Sequence, residues 1–231
     1  MSTIDLNCKE EIIQDINGFL TSEPWYYQRG IPFRRGYLFH GPPGTGKTSF
    51  VSAIAASFGL PIFIINARDS RLTDDKLGAL FKKVDKRCII ILDDIDGVGR
   101  PAGTAVNGRD GISLSGLLTA IDGVSSHEGH VLIMTTNKPD ELGHALVRPG
   151  RIDKRVQFNN ATSKQAMQCF QRIYGNENEE SNELAKEFSG KIPDGAFSIA
   201  DIQGFLIENK NDLAQAVENT DAWDISLIYW L

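Results

Sequence analysis

The chain has 231 residues, of which 41% are hydrophobic, enough for one good core and a small helical appendage. With 24 Lys and Arg against 30 Asp and Glu, the formal charge of −6 provides no long-range pull toward nucleic acid or anionic lipid, so the expected partner is protein. Cys8, Cys88 and Cys169 are odd in number and lack metal-ligand spacing, which points to free thiols rather than a disulfide framework. The four histidines, His40, His127, His130 and His144, show no metal spacing either. No stretch approaches the about 20 apolar residues of a membrane-spanning helix, so the stretch itself is expected to be soluble, with membrane contact only through segments absent from it.

Ile12, Ile13, Ile16, Phe19 and Leu20 recur at helical spacing and predict a leading helix that ends in a loop marked by Pro24, Gly30 and Pro32. Tyr37 to His40 reads as a buried strand running into a Gly-rich turn. A helical stripe of Phe50, Val51, Ile54, Ala55 and Phe58 follows and is closed by Gly59. Further strand-length apolar runs lie at Ile62 to Ile65, Cys88 to Leu92, Val131 to Met134 and Arg155 to Phe158. Helix patterns separate them at Leu77, Leu80, Phe81, Val84 and at Leu114, Leu117, Leu118, Ile121. Strands alternating with helices predict an α/β fold, a parallel sheet covered by helices on both faces. Gly97 to Gly111 has no apolar period and reads as a mobile loop.

After Phe158 the strand signals fade. Thr162 and Gln165 form a capping box ahead of Ala166, Met167, Phe170, Ile173 and Tyr174, Ser198 caps a pattern of Ile199, Ile202, Phe205 and Leu206, and Asp212 starts a third short helix. The predicted division is a nucleotide-binding α/β domain over 1–160, a helical lid over 161–219 and an apolar tail of unassigned role over 220–231.

The nucleotide reading comes from Gly41-Pro42-Pro43-Gly44-Thr45-Gly46-Lys47-Thr48, set between a strand and a helix. Glycines let the backbone aim N–H groups at phosphate, the helix presents its positive end, Lys47 adds a point charge and Thr48 offers a hydroxyl to magnesium. The strand Ile89 to Leu92 ends in Asp93 and Asp94 at the carboxyl edge of the sheet. Asp93 is the expected magnesium carboxylate and Asp94 the expected general base; Asp96 reads as structural, an ion-pair partner. Asn137-Lys138-Pro139-Asp140 matches a guanine-reading tetrad, but a GTPase would carry Gly where Asp96 stands. The competing reading makes Asn137, after Thr135 and Thr136, a polar sensor of the terminal phosphate, with Arg148-Pro149-Gly150-Arg151 as a catalytic arginine segment.

In that order, across residues 36 to 158, these motifs resemble the AAA ATPases with a second region of homology. Trp25-Tyr26, Arg29 to Leu38, and Leu114 to Leu118 with Ile121-Asp122-Gly123 are similar to the mitochondrial chaperones that translocate the folded Rieske iron–sulfur protein. The resemblance implies ATP and Mg2+ as cofactors, a homo-oligomeric ring of six or seven copies, and Arg148 and Arg151 reaching into a neighbour's site. It also implies a folded iron–sulfur protein as client and a mitochondrial location. The acidic pair departs from the family, which has Asp-Glu or Glu-Asp where this chain has Asp93-Asp94. Two functions are therefore carried forward: an ATP-hydrolysing motor, and an ATP-gated assembly module with slow turnover. Asn66 to Thr73, where threading relatives carry an aromatic on a central loop, has none.

Overall fold

Five short apolar segments form one sheet: β1 (Arg35–His40), β2 (Ile62–Asn66), β3 (Ile89–Asp93), β4 (Val131–Thr136) and β5 (Lys154–Gln157), in the order β2-β3-β4-β1-β5. All four strand pairings are parallel. The structure, a computed structural model, describes residues 6–98, 111–123, 128–175 and 179–223. Most of the predicted Gly-rich loop, His127 and the tail beyond Trp223 lie outside the described residues. Every residue of β4 is buried, as is the middle of β1 and most of β3, so these strands read as continuous apolar runs.

The chain divides into two compact units. Among the described residues, one comprises those from 6 to 41 and from 48 to 157, the other those from 42 to 47 and from 158 to 223. The first holds the sheet with helices α1 (Leu6–Thr21), α2 (Glu23–Gln28), most of α3 (Lys47–Phe58), α4 (Asp74–Lys83) and α5 (Leu114–Asp122). Leu77, Phe81, Leu117 and Ile121 pack with Ile90, Leu92, Leu132 and Met134 into one core cluster. Asp74 at the start of α4 accepts the Ser113 N–H (2.8 Å) and hydroxyl (2.6 Å) at the start of α5. Gly116 is required there, because a Cβ at that position would overlap the Asp74 carboxylate.

Three expectations are corrected. Ile13 and Leu80 were expected on buried stripes but are exposed. The Pro24 segment was read as loop and forms α2, since proline fits the first helical turn, where no N–H is needed. A further helix, over Glu179–Lys191, was not anticipated.

In the second unit, α6 (Ser163–Tyr174), α7 (Glu179–Lys191), α8 (Ile199–Glu208) and α9 (Leu213–Asn219) bury Phe170, Phe188, Ile202, Leu206 and Ala216. The predicted caps are present: Thr162 with Gln165 forms the capping box of α6, and Ser198 and Asp212 cap α8 and α9. Trp223 stacks between Phe197 and Phe205, with ring centroids 4.1 and 4.3 Å away.

Candidate nucleotide site

The Gly-rich loop takes the backbone shape its glycines allow: φ is +74° at Gly44 and +86° at Gly46, a region closed to most side chains. Gly44 is also pressed against α8. Its carbonyl accepts the Ala200 N–H at 3.1 Å, and a Cβ there would lie 2.5 Å from the Ser198 Oγ. The Thr45 hydroxyl and the Lys47 ammonium both donate to the Pro42 carbonyl at 2.8 Å, curling the loop on itself. Thr45 is fully buried and Lys47 nearly so.

The acidic group belongs to the sheet unit. Asn66 pairs with Asp93, and Leu92 with Met134, which brings the ends of β2, β3 and β4 level. The Asp93 Oδ1 accepts the Thr135 hydroxyl at 2.6 Å and lies 3.4 Å from the Thr48 hydroxyl. Thr48 and Asp93 thus bring together two hard oxygen donors of the kind magnesium prefers. Asp94 is the single non-glycine residue with positive φ (57°) among those described, so the chain turns sharply after β3 instead of continuing the strand's alternation. The turn is fastened by the Asp94 N–H donating to the same Thr135 oxygen at 3.0 Å. One buried hydroxyl therefore sets Asp93 and the Asp94 backbone relative to each other. The Asn137 amide then reaches the Asp94 carboxylate at 3.5 Å.

Asp96, read from the sequence as structural, is a buried hub. It accepts the Thr136 hydroxyl, the Asn137 N–H (3.2 Å) and the Arg68 guanidinium (3.0 Å). Burial by itself would raise its pKa, but these donors together outweigh burial and hold it below the ordinary carboxylate value. Arg68 also lies 3.6 Å from Asp94. Sequence reasoning missed Arg68 and the bridging role of Thr135. The available signal was position: Arg68 stands two residues past β2, whose end is level with Asp93.

The two arginines are held differently. Arg148 is exposed, whereas Arg151 donates to the Asp122 carboxylate through Nε at 2.8 Å and through its terminal nitrogens to Asp122 and the Ala145 carbonyl. The guanidinium is a permanent cation, and the bond to Asp122 raises its pKa further. Asp122 is shared with Arg34 at 3.5 Å. The segment is anchored through its backbone as well. The Asp153 N–H donates to the Gly36 carbonyl (2.8 Å), the Gly36 N–H donates to the Asp153 carboxylate (2.9 Å), and a Cβ on Gly36 would overlap the Arg151 carbonyl. Of the other residues of the guanine-like tetrad, Lys138 pairs with Glu141 at 2.7 Å, and Asp140 is exposed in a short 3-10 helix, Pro139–Glu141.

Comparison with known proteins gives two family matches. Residues 37–160 match "ATPase family associated with various cellular activities (AAA)", and residues 163–222 match "Mitochondrial chaperone BCS1-like, ATPase lid domain". A "Probable mitochondrial chaperone bcs1" of Schizosaccharomyces pombe is 40% identical over 93% of this chain and 47% of its own length. The "Mitochondrial chaperone BCS1" of Bos taurus is 37% identical over 92% of this chain and 52% of its own length. An "ATP-dependent zinc metalloprotease FtsH" of Staphylococcus haemolyticus is 34% identical over 92% of this chain and 32% of its own length. The chain spans about half the length of the two chaperones it matches. Among the described residues, no helix is long and apolar enough to cross a membrane.

Proposed function

The chain belongs to the AAA family of ATPases, and from that premise we propose that it is the ATP-hydrolysing motor of a ring-forming chaperone acting on a protein client. The hydrolytic part of the reading is carried by the chain of bonds that joins Thr48, Asp93, Thr135, Asp94 and Asn137, and the match of residues 163–222 to a chaperone lid domain supports the rest. Residues 1–160 then serve as the nucleotide-binding domain, 161–219 as its lid, and no role is assigned to 220–231. Gly41 to Thr48 cradle the ATP phosphates, with Lys47 leaving the Pro42 carbonyl to meet them. Thr48 and Asp93 hold Mg2+, which when bound offsets phosphate charge. Asp94 orients the attacking water and takes its proton as the β–γ bridging oxygen leaves with ADP, and Asn137 steadies Asp94 and the terminal phosphate. Arg148 and Arg151 act across the interface between copies. The names of the relatives support a mitochondrial location.

A second reading, an ATP-gated assembly module with slow turnover, is favoured by Asp94 itself. Its carboxylate stops one methylene, about 1.5 Å, short of where a Glu would hold it. Displacements of that size cost about a hundredfold in rate. Asp94→Glu is expected to raise steady-state turnover with ATP affinity unchanged. Asp94→Asn is expected to trap bound ATP and lower turnover by about 10²–10⁴. Parental turnover in Asp94→Asn would remove Asp94 from the chemistry.

The client is proposed to stay folded, an iron–sulfur protein by the resemblance described above. Residues 66–73 carry no aromatic, and both of their arginines are ion-paired, Arg68 with Asp96 and Arg71 with Asp69. A reconstituted assembly should release such a client with its tertiary structure intact. ATP-dependent unfolding of a stably folded, tagged reporter would refute the non-threading reading.

A further inference from the structure

Arg68 stands between two carboxylates. Its terminal nitrogen is 3.0 Å from Asp96 Oδ2 and its Nε is 3.6 Å from Asp94 Oδ2, beyond hydrogen-bond length. The two acids differ sharply in setting. The Asp96 side chain is 1% exposed and the Asp94 side chain 35%. Asp96 also receives the Thr136 hydroxyl and the Asn137 N–H, so the buried acid is fixed in place by β4 and its outer oxygen is left to face Arg68.

We propose that Asp96 is a positioning residue whose buried charge holds the Arg68 guanidinium off Asp94, leaving the Asp94 carboxylate to Asn137 and water. The proposal rests on Asp94 being the acid that orients water. A carboxylate engaged by a guanidinium in a close two-bond pair has fewer lone pairs left to hold water. Asp96 prevents that by offering Arg68 the tighter partner. With Asp96 changed to Asn, the attraction is gone and an amide N–H of the new side chain competes for the same space. Arg68 is then left with Asp94 as its neighbouring carboxylate and moves onto it.

The test uses the full 231-residue chain. Asp96→Asn is expected to lower ATP turnover about 10- to 100-fold, with ATP affinity within about threefold of the parent. Adding Arg68→Ala to that variant is expected to restore at least about tenfold of the loss, because the displaced cation is no longer there to cap Asp94. A double variant that is folded, binds ATP and stays as slow as Asp96→Asn would overturn the proposal. If Asp96→Asn alone does not fold, the double variant decides by itself: turnover within about tenfold of the parent supports the proposal, and an inactive ATP-binding protein refutes it. If neither variant folds, Asp96 is a residue of the fold and the proposal fails. Asp94→Asn run alongside separates the two levels. Parental turnover there sinks the water-orienting reading, whereas a loss there without recovery in the double variant sinks only the role of Asp96.

Discussion

Arg151→Ala is expected to lower ATP turnover by about 10³-fold or more, the scale of an arginine that stabilises charge on a transferring phosphoryl group. ATP binding should be nearly unchanged, because the phosphate loop and the Thr48–Asp93 pair are untouched. The fold should survive too: the Asp153 N–H and carboxylate anchor the segment to the Gly36 backbone, independently of the Arg151 side chain. Within one chain Arg151 is bound to Asp122, which holds the cation in a set position rather than leaving it to wander in solvent. A trans role makes two demands. Turnover per chain must fall on dilution, and a mixture of Lys47→Ala with Arg151→Ala must regain activity, since one kind of interface joins an intact Lys47 to an intact Arg151. Constant activity per chain down to concentrations where only monomer is detected would defeat the trans role.

Lys47→Ala is expected to weaken triphosphate binding by at least about a hundredfold, measured by titration with a slowly hydrolysed analogue. Lys47 is the compact cation of the loop, and in this structure its ammonium donates to the Pro42 carbonyl, a contact that phosphate oxygens would replace with stronger, charge-assisted bonds. Affinity retained within a few-fold would remove the loop from nucleotide binding. The same titration should favour ATP over GTP. Asn137 gives its amide to Asp94 and its N–H to Asp96, which commits the first residue of the guanine-like tetrad to the acid cluster. A clear preference for GTP would reinstate the guanine reading.

The sheet was legible because β1, β3 and β4, buried along most of their length, read as unbroken apolar runs, and each of the five predicted runs became a strand to within two residues, the part-exposed edge strands β2 and β5 included. Helices with a strong stripe or a capping box were legible as well, α6 and α8 among them. What escaped was polar or ambiguous. In α7, Ala185 and Phe188 are buried among Glu, Lys, Asn and Ser, too few apolar positions to announce a period. Ile13 and Leu80 satisfied a helical period and still face solvent, because period alone does not state how wide the covered stripe is.

The sequence by itself determined the order of phosphate loop, acidic strand end, polar strand end and arginine pair, since each is a local string whose chemistry is carried by neighbours in the chain. Only the tertiary structure decided how they join. Arg68 meets Asp96 across 28 residues, Thr135 meets Asp93 across 42, and Arg151 meets Asp122 across 29. The left-handed turn at Asp94 likewise follows from Thr135 on the neighbouring strand holding its N–H. For the contacts at the strand ends, parallel pairing is the physical reason. It aligns strand ends that are far apart in the chain, so bonds between those ends depend on strand order and register, which no local pattern of residues encodes.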